Sequence, residues 1–245
     1  MCAREDSNFH RNNPTATSTL RVYQFRHVRL LQTINYRMVL IKQLKGYQSY
    51  QSVIKNMEKN VEKIKSEGES NEVVWLLEHN SVFTAGSSNN VLNQEYIEKI
   101  PVINVNRGGQ MTFHGPGQLI IYFMLNIKKR KLGLIEFIDQ IEKLIINAFA
   151  RENIKLYPKK EKNRGLWIKS TKGMKKIIFI GLRYSSGVIY HGISINFKPD
   201  LQKFRLINPC GLNEFEISSL KELEIDYSYD RIVKEIKNQM ILEFP

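Results

Sequence analysis

Cysteine is nearly absent from this chain: only Cys2 and Cys210 occur among its 245 residues, at opposite ends and without metal-ligand spacing. A disulfide framework and a cysteine-built metal centre are thereby excluded, and a reducing compartment is implied. Long apolar runs are missing too. The stretch from Leu119 to Ile127 is interrupted by Asn126 and then meets Lys128, Lys129 and Arg130, short of the roughly 18 residues a membrane span needs. A soluble protein without a membrane partner is expected. No internal repeat or low-complexity tract is present, and no interleaving of aromatic and basic residues marks an RNA-binding surface. Acidic residues are the scarcer charge, 24 against 37 basic ones, for a net charge of +13. That balance favours encounter with acidic partners and says nothing of chemistry.

The length allows one good core and one domain. Residues 1–37 differ from the rest, because their basic residues are all arginine, whereas 38–245 hold 24 lysines and 7 arginines. Such an Arg-rich, Ser/Thr-containing segment reads either as a mitochondrial transit peptide or as an extension upstream of a start at Met38. The second reading is preferred: the segment has no sustained amphipathic stripe, and the Lys/Ile-rich body resembles an AT-rich bacterial coding sequence.

Among what is present, the stretch Arg107-Gly-Gly-Gln-Met-Thr-Phe-His-Gly-Pro-Gly-Gln118 stands out, with five of its twelve residues Gly or Pro. Glycines there let backbone N–H groups approach a ligand. Arg107 and His114 frame the loop as one fixed and one titratable donor, although a solvated Arg107 and a satisfied core His114 would also fit the pattern. The loop has neither dinucleotide nor P-loop spacing. Leu119–Leu125, immediately after it, reads as a strand buried on both faces.

Elsewhere, apolar residues at helical spacing predict helices over Tyr50–Ser66, Leu134–Glu152 and Asp230–Leu242. Gly68 stops the first and Gly133 precedes the second. Strands are predicted over Glu72–Glu78 and Val102–Val105, with a polar loop over His79–Asn90 between them. Turn signals at Lys172-Gly173 and Ser185-Ser-Gly187 split an antiparallel meander into Leu166–Lys169, Lys176–Arg183 and Val188–Phe197. Asp200–Cys210 is expected to be a loop or helical turn. Helices and strands interleave without regular βαβ repeats, so the fold class is α+β with a mixed β-sheet, flanking helices and a small antiparallel meander.

Asn208-Pro-Cys-Gly211 puts the one cysteine of the body on a tight turn, a place for a reactive thiol as well as for a buried structural one. A nucleophilic thiol needs a cation to lower its pKa. The candidates are His79, His114, Lys175, Lys176, Arg183 and His191; Lys175 and Lys176 must point to opposite faces of their strand.

Four motifs in order, RGGQMTFHGPGQ at 107–118, KIIFIGLR at 176–183, YHGISINF at 190–197 and NPCG at 208–211, resemble the octanoyltransferase family of lipoate biosynthesis. The resemblance covers about Leu40 to Leu220 and implies the catalytic-domain fold of biotin and lipoate ligases for residues 38–245. It implies transfer of an octanoyl group from octanoyl-acyl carrier protein to a lysine of a lipoyl domain, through a thioester on the enzyme. The acceptors implied are the E2 subunits of 2-oxoacid dehydrogenases and the glycine cleavage H protein. The acyl-accepting cysteine falls on Cys210 and the lysine that lowers its pKa on Lys176. Acyl binding falls on Arg107, Gly108, Gly109, Gln110, Met111, Thr112, Phe113 and His114. Two shorter contact segments fall on Ile180, Gly181 and Leu182, with Phe179 beside them, and on Gly192, Ile193 and Ser194. Neither metal, cofactor nor nucleic acid is implied, and the location is the bacterial cytoplasm, or the mitochondrion if 1–37 is a transit peptide. Residues 1–37, the hairpin around Ser170–Met174 and Phe123 depart from the family pattern. The alternative is an ATP-dependent lipoate or biotin ligase on the same fold, which would not need Cys210.

Overall fold

The computed structural model describes residues 39–68, 71–88, 94–160, 164–207 and 216–244. Residues 1–37 and Cys210, both subjects of expectations above, lie outside them.

Among the described residues, β1 (Leu40–Gln48) and β2 (Val73–His79) run parallel at one side of a seven-stranded sheet. The other strands are β7 (Gln118–Asn126), β8 (Tyr157–Lys159), β9 (Gly165–Ser170), β10 (Gly173–Ser185) and β11 (Val188–Asn196). Their order is β1-β2-β7-β11-β10-β9-β8, with every pairing except β1/β2 antiparallel, so the sheet is mixed. The meander expected at 166–197 is real, but it is one half of this sheet rather than a separate small unit, because β11 pairs with β7.

All nine residues of β7 are buried, since the strand is covered on both faces. Leu119, Ile121, Phe123 and Leu125 point into a core shared with α2 (Leu134–Ala150) and α4 (Tyr229–Glu243). Ile120, Tyr122 and Met124 meet Val53, Met57, Val61 and Ile64 of α1 (Tyr50–Glu67) on the other face. Each such buried side chain contributes about 1.5–3 kcal/mol relative to exposure, which fixes the register of the central strand. Gly133 sits at the N-terminus of α2, where its N–H is capped by the Glu136 carboxylate at 2.7 Å.

A second sheet has the order β4-β5-β3-β6 and comprises β3 (Val82–Ala85), β4 (Tyr96–Ile97), β5 (Ile100–Asn104) and β6 (Thr112–His114). This corrects the polar loop expected over His79–Asn90, part of which is β3, a fully buried strand. It also corrects the view of 107–118 as loop throughout, because Thr112–His114 pairs with β3. Both strands are too short to show a period, and burial decides their structure. A single helical turn, α3 (Gln202–Arg205), stands within the expected 200–210 turn region. Its Phe204 packs with Phe83, Phe113, Trp167, Phe179 and Ile217 in a third apolar cluster.

Candidate active site

Arg107, which could have been solvated, is buried at 7% exposure because its guanidinium serves the protein itself. Its Nη2 donates to the Thr84 carbonyl at 2.8 Å and to Thr84 Oγ1 at 2.7 Å, and its Nη1 donates to the Gly108 carbonyl at 3.0 Å. The Gly108 N–H donates in turn to the Leu182 carbonyl at 3.1 Å, so the loop is laid across β10. Gly181 makes that approach possible: a Cβ there would stand 3.3 Å from Arg107 Cδ and 3.4 Å from the Gly108 carbonyl oxygen.

Beneath the loop is a partly enclosed cavity. Three separate sequence segments line it: Arg107, Gly108, Gly109, Thr112 and His114; Phe179, Ile180 and Gly181; and Gly192, Ile193 and Ser194. Pairing explains the convergence of the last two, because Phe179, Ile180 and Gly181 of β10 stand opposite Ser194, Ile193 and Gly192 of β11. Four predicted residues do not line it. Met111 and Phe113 are buried, Phe113 in the third apolar cluster, Leu182 packs on the main core, and Gln110 is half-buried outside the cavity wall.

Lys176 is buried at 3% exposure, with its Nζ 4.9 Å from the Phe179 ring centroid and 5.8 Å from that of Trp167. Gly165 stands against it, where a Cβ would meet Lys176 Cε at 2.7 Å. The strand's carbonyl at Lys176 accepts the Ser218 N–H at 3.1 Å, tying the chain just beyond 208–215 to this lysine. Lys175, its neighbour, is half-buried and faces a different groove with Ile168 and Ser218, while Arg183 is exposed.

The three histidines considered as cations are all neutral near pH 7. Burial pushes His79 down to about 4, against the hydrogen bond to Gln48, and His191 to about 3, with the Arg107 and Arg183 charges adding to burial. His114 is likewise held well below the ordinary range, first by burial and then by the neighbouring His79 and Arg107. His79 contacts the Gln48 carbonyl through Nδ1 at 3.1 Å and the Tyr122 hydroxyl through Nε2 at 2.9 Å. The carbonyl can only accept, so Nδ1 carries the proton and Tyr122 donates to Nε2. His114 Nδ1 meets Gln118 Oε1 at 3.2 Å, and Gln118 Nε2 donates to Asn196 Oδ1 at 2.8 Å. Asn196 Nδ2 completes the relay on the Ser218 carbonyl at 3.0 Å.

Comparison with known proteins decides the lineage. The lipoyl protein ligase A/B catalytic domain family matches residues 50–241. The chain belongs to that family. An octanoyltransferase of a Wolbachia species from Brugia malayi is 39% identical over 191 residues, 76% of this chain and 91% of its own length. An octanoyltransferase of Salmonella typhi is 35% identical over 194 residues, covering 79% and 87%. Among solved structures, a bipartite lipoate protein ligase of Thermoplasma acidophilum, solved in a study that includes its E2 lipoyl domain, superposes with a TM-score of 0.58 at 13% identity. That match covers 84% of this chain and 82% of the other, and it establishes the α+β ligase-type fold alone.

For a chain of the lipoyl protein ligase A/B catalytic domain family, the lining residues that the motifs did not single out are Tyr50, Ile120 and Tyr122, while His191, a candidate cation, lines the cavity as a neutral wall. Tyr50 opens α1 and Tyr122 sits mid-strand, each an ordinary apolar-face aromatic in its own segment. Only topology brings them beside His79 and His114, with ring centroids 5.0–6.1 Å apart.

Proposed function

We propose that this chain is an octanoyltransferase of lipoate biosynthesis, moving an octanoyl group from acyl carrier protein to a lysine of a lipoyl domain through a thioester on Cys210. Residues 38–245 are the catalytic domain in this reading. The observation that carries it is the convergence of three distant segments on one apolar-walled cavity whose Phe179 end lies against the buried Lys176. The names of relatives at 35–39% identity agree with it.

With the three histidines neutral and the buried Arg107 guanidinium held by Thr84 and Gly108, the buried Lys176 is suited to hold Cys210 as a thiolate. The thiolate attacks the carrier thioester carbonyl, the C–S bond to the carrier breaks, and the departing sulfur takes a proton from the Lys176 ammonium. The acceptor's lysine amine, arriving uncharged, then attacks the enzyme thioester. Neutral Lys176 removes the N–H proton as the C–S bond to Cys210 breaks, restoring the starting ion pair. The first step exchanges one thioester for another and the second makes an amide from a thioester, so no nucleotide is consumed. The eight-carbon chain buried at about 0.8 kcal/mol per methylene contributes roughly 5 kcal/mol of binding. A net charge of +13 suits acidic carrier and lipoyl domains, of E2 subunits or of glycine cleavage H protein, and the bacterial cytoplasm is the location inferred.

The test is octanoyl transfer from octanoyl-acyl carrier protein to a purified lipoyl domain without ATP, comparing Lys176→Met. The variant is expected to need a pH near the ordinary thiol pKa of about 8.5 for the activity the parent shows at pH 7. Transfer only with ATP and free acid, or an unchanged pH profile in Lys176→Met, would refute the reading.

A further inference from the structure

Beside the acyl cavity lies an open groove of about 490 Å³ that the reaction above leaves unused. It runs between the start of α1 and the residues leaving β5, with Ile54, Ile103 and Val105 as apolar lining. Tyr50 borders both spaces. The other partition is a hydrogen bond: Asn106, which lines the groove, meets through Oδ1 the Nε2 of His191, which lines the cavity, at 3.1 Å. His191 is held in an unusual backbone state, φ 60°, within β11, and its ring stands edge-on to Tyr122 at 6.1 Å.

Register gives the cavity a direction. The Lys176 Nζ lies 4.9 Å from the Phe179 ring centroid, and His191 stands opposite Leu182, three residues beyond Phe179 on β10. At about 3.3 Å per residue that is about 10 Å. With carbon–carbon bonds of about 1.5 Å, an extended eight-carbon chain is close to that length. An acyl chain that begins beside Phe179 therefore ends where Tyr50, His191 and Asn106 divide the cavity from the groove.

We propose that the Asn106–His191 pair, with Tyr50, is the end wall that sets acyl-chain length, and that the groove beyond it receives the distal carbons of longer acyl chains once the wall is opened. The proposal rests on the octanoyl-transfer reading. Asn106 is exposed, so it can be shortened without disturbing the core.

The experiment measures kcat/KM for acyl-carrier thioesters of six to fourteen carbons with the parent, Asn106→Ala, Ile54→Trp and the double variant. Each further methylene buried is worth about fourfold, so Asn106→Ala is expected to raise the twelve-to-eight-carbon ratio by at least about tenfold. Ile54→Trp fills the groove only, and is expected to leave the parent's eight-carbon rate unchanged and to cancel the gain in the double variant. Eight-carbon transfer with an unchanged ratio in Asn106→Ala would overturn the end wall. A gain that survives Ile54→Trp would overturn the groove as its receiver. A parent that transfers no acyl group of any length would sink the octanoyl-transfer reading, and the wall with it.

Discussion

Replacing Arg107 by lysine keeps a positive charge in the same place and removes the fork that uses it. The guanidinium reaches the Thr84 carbonyl at 2.8 Å, Thr84 Oγ1 at 2.7 Å and the Gly108 carbonyl at 3.0 Å, on two different segments. One ammonium on a shorter reach cannot bridge both. Losing two hydrogen bonds of the charged kind, with a carbonyl left unsatisfied at a buried site, costs about 3 kcal/mol. For a domain of this size that lowers the melting temperature by roughly 6–12 °C. The loop over the cavity loosens at the same time, so KM for the acyl donor rises more than kcat falls. Differential scanning calorimetry and initial rates at varied donor concentration read both effects. If Arg107 instead holds an anionic part of the substrate, lysine keeps much of that attraction, and melting stays within about 2 °C of the parent. That result would refute the anchoring role.

Acid should weaken the fold before it protonates carboxylates. His79 and His191 are depressed to about 4 and about 3 in the folded chain, so the unfolded chain takes up their protons first; stability is complete above about pH 6.5 and is lost as the pH falls from there towards 4 and below. His79 alone accounts for about 3 kcal/mol, read by urea unfolding at pH 7 and pH 4.5, and a flat dependence would contradict the burial argument. Gly165→Ala places a Cβ 2.7 Å from Lys176 Cε at a backbone φ of 142°, and is expected to slow iodoacetamide labelling of Cys210 at pH 7 about tenfold or more. Parent-like labelling in a folded variant would separate Lys176 from the thiol. Glu72 is buried and accepts the Asn126 N–H and an Arg130 N–H, each at 2.6 Å; Glu72→Gln is expected to cost about 3 kcal/mol in denaturant unfolding, and a loss below about 1 kcal/mol would show that the pair is solvated in practice.

How far the fold could be read in the residues depended on burial. The helices at 50–67, 134–150 and 229–243 and the strand at 118–126 were legible because each buries a long periodic or unbroken apolar surface. β1 was not, since Lys42, Gln43 and Lys45 give this half-exposed strand the look of a polar linker. β3 escaped because four buried residues between polar neighbours carry no period, and with it the second sheet went unread. At the site, Lys176 is buried and Lys175 half-buried on another groove, in accord with the alternation of a strand. The cavity segments were legible as motifs, whereas Tyr50, Tyr122 and the neutral state of the histidines were not. Those properties belong to the assembled environment, because a histidine's charge depends on what covers it.

Covalent catalysis at Cys210 is read from the intact mass of the chain. After mixing with octanoyl-acyl carrier protein, the chain is expected to gain one octanoyl group that hydroxylamine removes and that Cys210→Ala never acquires. A chain that turns over while its mass stays unchanged, or an adduct that persists in Cys210→Ala, would rule out a thioester on Cys210.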